Sequence, residues 1–309
     1  MKAIIQTKAG PPGVLELQEV PKPTPKENEV LIQVHASTVT RGDVILRKLH
    51  PLLYLPLRLF GVRRKRTPGH EFAGEIEAVG ARVTKFRVGD QVFGTTTGLL
   101  VGANAAYLCL PQAWSQGVLE RMPTNASFEQ AAALPVGGMT ALDLLSRAHL
   151  QPGDAVLVYG ASGSVGTYAV QLARQHFEAE VTGVCSTKNI ELVQSLGASK
   201  VIDYTREDVT QGVQTFDLIF DAVGKLSPSK AKNILKDNGK FLSVKSPTRE
   251  TPEHLLTLKA LFEAGKLQAV IDSIYPLEQT PAAHQRVETG HKVGNVVIAV
   301  LPEKEESSI

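Results

Sequence analysis

The sequence predicts an α/β protein with two domains, one rich in β-strands and one built on a doubly wound parallel sheet. Short runs of strand character, separated by Gly, Pro, Asn and Asp, occupy about the first 120 residues. From about residue 150 onwards, apolar runs alternate with helical patterns, as expected when helices connect parallel strands. At 309 residues the chain is long enough to bury a core in each domain.

The composition is that of a soluble globular protein, with 43% apolar and 21% charged residues. A formal net charge of +2 gives no field strong enough to indicate a nucleic-acid partner. Cys109 and Cys185 lie in different apolar runs and form no disulfide framework, which favours a reducing, cytoplasmic location. The apolar run 51–60 has about half the ~20 residues that a membrane span needs. We therefore expect neither a secretory signal nor a transmembrane helix.

The strands of the first domain are predicted from alternating or β-branched runs. Their spacing suggests a compact barrel or sandwich. The proline-rich stretch 21–29 is predicted to be a loop, because proline lacks the N–H that a central strand needs. In chain order the strand runs cover residues 3–6, 14–20, 29–38, 72–80, 91–96 and 105–111.

A helix signal opens the second domain, with Ser127 as N-cap and Gln130 completing a capping box. Pro135 and the two glycines that follow break the pattern, so two short helices are predicted. The strands that follow are predicted at 155–160, 180–186, 199–204, 216–224 and 240–246, with helices at 164–176, 189–197 and 229–239. The closing segment has predicted strands at 267–277 and 294–302, a helix at 280–290, and a disordered end at 303–309.

The most informative segment is the glycine turn between the strand ending at Tyr159 and the next helix. A side chain at Gly163 would block close approach of the backbone to a pyrophosphate, and Gly166 lets the helix pack near the strand. The N–H groups at the helix start would then face the anion. Ala161 replaces the first glycine of the usual fingerprint. The predicted cofactor-binding residues of this turn are Gly160, Ala161, Ser162, Gly163, Ser164, Val165 and Gly166.

The next strand predicts which dinucleotide is bound. NAD-binding units carry an acidic residue at the end of this strand, where it grips the ribose 2′-hydroxyl. Here the strand ends in Cys185-Ser186-Thr187-Lys188, which offers two hydroxyls and one cation to a 2′-phosphate and no carboxylate to repel it. Tyr204, at the end of the third strand, could reach the same place. The predicted cofactor is therefore NADPH.

Several of these segments resemble the zinc-independent quinone oxidoreductases of the medium-chain dehydrogenase/reductase superfamily, near the members that reduce enones. The resemblance runs almost the whole length of the chain, with the motifs in the family's order. The segments that carry it are TPGHEFAGEIEAVGARVTKFRVGDQVFG, AAALPVGGMTAL, GASGSVG, VCSTKNIELVQSLGASKVIDYT and the closing VIDSIYPL and GHKVGNVVI.

This resemblance implies a GroES-like β-barrel domain at 1–122 and 269–309, a Rossmann domain at 123–268, and an active site in the cleft between them. It also implies that Ser186, Lys188 and Tyr204 bind the 2′-phosphate. Thr140 would touch the nicotinamide end of the cofactor. The strand ends that line the cofactor would be Val223, Gly224 and Ser243.

Zinc members of the superfamily use a cysteine at the position of Thr40, a histidine at that of His70, and a further cysteine in the glycine-rich helix. Only the histidine is present here, and one histidine cannot make a tetrahedral site. We therefore expect no metal, with His70 as a hydrogen-bonded structural residue. Many quinone oxidoreductases have asparagine at the Thr40 position, and threonine has a shorter reach.

The predicted reaction is hydride transfer from NADPH to a quinone or an α,β-unsaturated carbonyl, whose product anion is already delocalised. Thr40 and Tyr54 are the candidate catalytic hydrogen-bond donors to that anion. The alternatives are a non-catalytic NADPH-binding redox sensor or interaction protein, and an enoyl reductase acting on a carrier-bound substrate. We expect a homodimer. The apolar and basic segment 51–66 stays open between a lid over the substrate, a weak membrane-surface contact and a packed helix.

Overall fold

The structure, a computed structural model, describes residues 1–53 and 65–301. Tyr54, most of the apolar and basic segment, and the tail 303–309 lie outside the described residues. The chain forms two compact units. The first comprises Met1–Val136, Thr251–Leu256 and Ile271–Ile309, and the second comprises Gly137–Glu250 and Thr257–Val270. The domain boundaries predicted from the sequence stay predictions.

Most strands overlap the runs predicted from the sequence, whereas β7 was not predicted and β12 begins earlier than its predicted run. They are β1 Lys2–Gln6, β2 Leu15–Glu19, β3 Glu29–Val39, β4 Glu71–Val79, β5 Gln91–Thr95, β6 Tyr107–Pro111, β7 Leu119–Arg121, β8 Ala155–Tyr159, β9 Glu180–Cys185, β10 Lys200–Asp203, β11 Phe216–Asp221, β12 Leu235–Ser243, β13 Ile271–Pro276 and β14 Asn295–Ala299.

The helices of the described residues are α1 Arg41–Lys48, α2 Phe128–Ala133, α3 Pro135–Ser146, α4 Ser164–Gln175, α5 Ile190–Ser195, α6 Pro228–Ala231, α7 Pro252–Glu263 and α8 Thr280–Glu288. In the described part of the chain, no helix is long and apolar enough to cross a bilayer.

The first unit is built on a seven-stranded sheet in the order β13-β14-β3-β4-β5-β7, with β6 paired to β3, and on the β1-β2 pair. The long strand β3 organises this sheet, because it pairs with β4, β6 and β14. Its residues Val30, Ile32 and Val34 are fully buried, and Ile32 lies in register with Ile76 of β4. As predicted, 21–28 is irregular and β3 begins at Glu29.

The capping box predicted at Ser127 is confirmed, because its side chain accepts from the N–H of Gln130 while the Gln130 side chain accepts from the N–H of Ser127. The two predicted helices are present, with the break at Leu134 immediately before Pro135, but the two glycines take no part in the break, since α3 runs through both. A Cβ at Gly138 would lie 2.7 Å from Leu258 Cδ1. These glycines therefore serve close packing rather than a turn.

The second unit contains an all-parallel sheet in the order β10-β9-β8-β11-β12. This order reverses between β8 and β11, and ligands of such sheets bind beyond the carboxyl ends of the strands at that point. The helix predicted at 229–239 is too long, because β12 already begins at Leu235, which pairs with Phe216 of β11. The exposed polar residues Lys236, Asp237 and Asn238 lie in an irregular stretch of this edge strand, between the paired residues Leu235 and Lys240.

Candidate functional site

The glycine turn between β8 and α4 is tightly packed at two of its glycines. Gly160 has φ +81°, and a Cβ there would lie 2.1 Å from Val223 Cγ2. A Cβ at Gly166 would lie 2.1 Å from the carbonyl oxygen of Gly160. Ala161 is fully buried, and Gly183 of β9 makes room for its methyl group, since a Cβ at Gly183 would be 3.1 Å away. The fold itself therefore requires Gly160 and Gly166.

Gly163 is different, because the fold does not require a glycine there. Its φ is −80°, and an added Cβ would meet only the Gly160 carbonyl oxygen, at 3.5 Å. Gly163 is the N-cap of α4 and provides no side-chain cap, and the first turn of α4 carries no acidic residue. Uncapped N–H groups and the positive end of the helix dipole favour an anion. The turn thus fits a pyrophosphate.

The strand ends of the second unit lie in register along one edge of the sheet. Tyr159 pairs with Asp221, Asp221 with Ser243, and Cys185 with Asp203. The same edge carries the glycine turn, which follows Tyr159. The residues that the sequence predicted at these strand ends are thereby brought to a single edge, namely Ser186, Tyr204, Val223, Gly224 and Ser243.

Asp221 organises the loop after β11, and the sequence analysis missed it. Its fully buried carboxylate accepts hydrogen bonds from the N–H groups of Val223 at 3.1 Å, Gly224 at 2.9 Å and Leu226 at 3.2 Å. The hydroxyl of Ser243 also donates to it, at 3.3 Å. One carboxylate therefore positions three of the predicted cofactor-lining residues. A carboxylate directly after an apolar strand and before a glycine loop was the available signal.

A second carboxylate, Asp203, corrects the sequence analysis of the region beside β9. No acidic residue ends β9 itself, but β10 brings Asp203 next to Cys185. The Thr187 hydroxyl donates to Asp203, and so do the hydroxyl of Thr205 at 2.7 Å and its N–H at 3.0 Å. The bond from Thr187 is the largest cause that lowers the pKa of Asp203. The hydroxyl proton of Thr187 is therefore donated to Asp203, so Thr187 is not the phosphate donor that the sequence suggested.

The remaining polar groups beside β9 are linked by Asn189, another residue the sequence analysis missed. Its amide Nδ2 donates to Ser162 Oγ at 3.0 Å and to Ser186 Oγ at 3.3 Å. Lys188 is exposed, and Tyr204 is half exposed. The N–H of Tyr204 donates to the Cys185 carbonyl at 3.1 Å, which keeps the tyrosine beside the end of β9.

Thr140 lies half-buried in α3, one turn after Gly137. A Cβ at Gly137 would lie 2.6 Å from Ser164 Oγ and 3.1 Å from the Tyr168 ring. This close approach places the first turn of α3 against the first turn of α4. Thr140 therefore lies on a helix that is packed directly against the glycine turn.

Thr40, the candidate catalytic residue, belongs to the first unit and caps α1. Its hydroxyl accepts from the N–H of Asp43 at 3.1 Å and donates to Asp43 Oδ2 at 2.6 Å. The other carboxylate oxygen, Oδ1, lies 2.6 Å from His70 Nδ1 and accepts from the N–H of Gly69 at 3.2 Å. His70 is thus hydrogen-bonded, as predicted. The Thr40 proton points to Asp43, so a substrate would have to compete for it.

Asp43 is almost fully buried. Burial alone would raise the pKa of its carboxyl group, but the charge and hydrogen bond of His70 and the bond from Thr40 outweigh burial and lower the pKa. The carboxylate therefore stays ionised. The first turn of α1, including Thr40, is held in place by this charge.

The donor set around His70 does not fit a zinc site. His70 contacts the carboxylate of Asp43, which already accepts from Thr40 and Gly69, whereas a zinc site needs three or four thiolate, imidazole or carboxylate ligands directed at one point. Within 1–53 and 65–301, no group of three His, Cys, Asp or Glu side chains could hold a metal ion. Burial raises the pKa of both thiols, Cys109 and Cys185, to about 11.

Two family models match the chain. The model described as "Alcohol dehydrogenase GroES-like domain" matches residues 26–187. The model described as "Zinc-binding dehydrogenase" matches residues 196–255 and 246–298. Together they match parts of both compact units.

Curated relatives point the same way. The NADPH-dependent alkenal/one oxidoreductase of Arabidopsis thaliana chloroplasts is 30% identical over 98% of this chain and 80% of its own length. A quinone oxidoreductase of Sus scrofa is 32% identical over 93% of this chain and 94% of its own length. Among solved structures, the quinone oxidoreductase from Coxiella burnetii superposes with a TM-score of 0.86 at 29% identity, covering 97% of this chain and 99% of that one.

The different packing of the turn glycines makes a direct prediction. Gly166→Ala should destabilise the fold by about 3 kcal/mol, because the new methyl group meets the Gly160 carbonyl. Gly163→Ala should change the free energy of unfolding by only about 0.5 kcal/mol, yet weaken binding of a nicotinamide dinucleotide at least about tenfold. Urea unfolding and fluorescence titration with NADPH and NADH measure the two effects. If Gly163→Ala binds both dinucleotides as the wild type does, the backbone at Gly163 does not approach the pyrophosphate.

Proposed function

Because the chain belongs to the quinone oxidoreductase family of the medium-chain dehydrogenase/reductase superfamily, we propose that it is a zinc-independent, NADPH-dependent reductase of quinones or α,β-unsaturated carbonyls. The observation that carries the proposal is the open glycine position at the uncapped start of α4, on the sheet edge where the other strand-end residues gather. When bound, NADPH supplies the hydride. The chain's own side chains and backbone bind and orient the cofactor and the substrate.

The roles of the cofactor-binding residues follow from their places on the sheet edge. The turn from Gly160 to Gly166 would hold the pyrophosphate with its backbone N–H groups. The hydroxyl of Ser186, the Lys188 ammonium and Tyr204 would hold the 2′-phosphate. The residues on the other side of the switch point would hold the nicotinamide half, namely Thr140, Val223, Gly224 and Ser243.

The preference for NADPH has to be weighed against Asp203, which the sequence analysis did not place near the site. A bare carboxylate there would favour the 2′-hydroxyl of NADH. Asp203, however, already accepts from Thr187 and Thr205, and Arg206 Nε lies 3.4 Å from it. Its charge is thereby compensated locally. The ammonium of Lys188 is exposed, and Asp203 does not neutralise it. This cation close to the proposed phosphate site supports a preference for NADPH.

Zinc independence is supported by the side chains around Thr40 and by the chemistry of conjugated acceptors. Thr40 offers no thiolate, so of the ligands named above for the zinc members only His70 is present. The product anion of a quinone or an enone is delocalised, so a hydrogen bond can stabilise it without a Lewis acid. Thr40 could provide that bond by turning its proton from Asp43 to the substrate. Asp43 would still accept from the N–H groups of Thr40 and Gly69 and from His70.

Tyr54 keeps its proposed role as a second hydrogen-bond donor, although it lies outside the described residues. A cytoplasmic homodimer with a small-molecule substrate completes the proposal. No contact in the described residues favours a carrier-bound substrate over a small one, and none favours a purely non-catalytic protein.

Turnover tests the function directly. With NADPH, we expect the protein to reduce members of a panel of 1,4-quinones and linear and cyclic enones, and to reduce saturated ketones far more slowly. The reason is that only conjugated acceptors yield a delocalised anion. Cofactor oxidation followed at 340 nm and product analysis measure the rates. If NADPH binds but no acceptor turns over, the non-catalytic alternative replaces the enzyme.

Cofactor preference gives the second test in this group. Lys188→Ala should weaken NADPH binding by about tenfold, through loss of a charge-assisted contact, and leave NADH within about twofold. The matched control is Lys200→Ala, which removes an exposed lysine from the amino end of β10, whereas the proposed cofactor site lies at the carboxyl ends of the strands. Dissociation constants are measured by fluorescence titration. Equal weakening of both cofactors would remove Lys188 from recognition of the 2′-phosphate.

The metal prediction needs only the purified protein. We expect substoichiometric zinc by elemental analysis and unchanged turnover after dialysis against EDTA, because the position of Thr40 offers no thiolate. Zinc added back afterwards should not raise the rate. One tightly bound zinc per chain, with activity lost on its removal, would contradict zinc independence.

Thr40 is tested by separating its cap from its proposed catalytic bond. Thr40→Val should lower kcat by about 10²-fold if Thr40 is the sole donor, with little change in KM or NADPH affinity. It should also cost about 1 kcal/mol of stability through loss of the helix cap. Thr40→Ser keeps both hydroxyl roles and is the control. A stability loss with an unchanged kcat would leave Thr40 as a helix cap only.

A further inference from the structure

Asn189 connects two loops of the proposed cofactor site. It is the last residue of a 3-10 turn, Thr187–Asn189, that leads directly into α5. Its side chain makes no bond to the backbone of that helix. Its amide group instead donates to Ser162 of the glycine turn and to Ser186 at the end of β9.

The direction of these two hydrogen bonds decides what the serines can do. Each hydroxyl accepts from the Asn189 amide and therefore keeps its own proton for another acceptor. Both hydroxyls are only partly buried, so that acceptor can come from outside the protein. Thr187 shows the opposite arrangement, because its hydroxyl donates to Asp203. Of the hydroxyls of Ser162, Ser186 and Thr187, the two that accept from Asn189 can therefore donate to an anion.

Since Ser186 follows β9, the position that contacts the ribose in dinucleotide-binding folds, the anion in question is the 2′-phosphate. We propose that Asn189 is a specificity-determining positioning residue that orients Ser162 and Ser186 as donors to the 2′-phosphate of NADPH. The inference rests on the proposed cofactor site. It assigns to Asn189 and Ser162 a part in selecting NADPH over NADH, in addition to the part proposed for Lys188.

The decisive variant is Asn189→Asp, which keeps the shape and removes the donor. A carboxylate accepts from both serine hydroxyls, turns their protons away from the ligand, and adds a negative charge beside the phosphate. Asn189→Ala removes the bridge without adding charge. The matched control is Gln194→Glu, which adds the same charge at an exposed position of the same helix.

The experiment measures dissociation constants of NADPH, NADH, 2′,5′-ADP and 5′-AMP by titration of each full-length variant. Asn189→Asp should lower the NADPH-to-NADH affinity ratio by about 10- to 100-fold, with NADH within about threefold of wild type. Asn189→Ala should lower the ratio less, by about threefold to tenfold. The 2′,5′-ADP-to-5′-AMP ratio should fall in parallel, and Gln194→Glu should leave both ratios unchanged.

Three results would overturn the inference. One is an unchanged ratio in both Asn189 variants, and another is equal weakening of NADPH and NADH, as a merely structural bridge would give. The third is a wild-type ratio near one, which would also remove the NADPH preference. Because the readout is binding, it is independent of turnover. A protein that reduces no quinone or enone but shows the predicted shift in ratio would lose the proposed activity and keep the role of Asn189.

Discussion

The second unit depends on how closely the first turn of α4 approaches the end of β8. The Gly166 position lies against the carbonyl of Gly160, and the Gly160 position lies against Val223, so a methyl group at either place would push one element away from the others. The start of α4, the end of β8 and the loop after β11 are therefore fixed together by the absence of two side chains. The direction in which the N–H groups of the turn point, and thus the anion site, follows from this packing.

Three buried carboxylates provide the second layer of organisation. Asp221 accepts from N–H groups of the loop after β11, and Asp203 accepts from one hydroxyl that follows β9 and one that follows β10. Asp43 holds the start of α1 and His70. A buried charge is costly unless its hydrogen-bonding capacity is met, so each carboxylate imposes an order on the loop that meets it. In the second unit these ordered loops lie at the carboxyl edge of the sheet, which is where side chains must be held still to bind a cofactor.

The sequence predicts well what local chemistry decides. The glycine turn, the capping box at Ser127 and the loop before β3 were all found from short patterns. What it missed depends on partners far along the chain: Asp203 approaches the end of β9 only through strand pairing, and Asn189 reaches Ser162 across 27 positions. Packing of Gly138 on Leu258 likewise overrode the helix-breaking tendency of glycine in α3. The sequence identifies Thr40 as a candidate donor, but it does not show that the Thr40 hydroxyl donates to Asp43.

The edge strand β12 has a consequence for how the molecule behaves in solution. A parallel sheet ends in a row of backbone groups that another strand can extend, and such edges promote unwanted aggregation. The exposed Lys236, Asp237 and Asn238 lie in the irregular stretch of β12 between its paired residues Leu235 and Lys240, and Lys236 forms a 2.7 Å ion pair with Asp217 of β11. A strand added to β12 would meet this irregularity and would have to desolvate its charges. The polar stretch that follows α6 therefore also hinders growth of the sheet at β12.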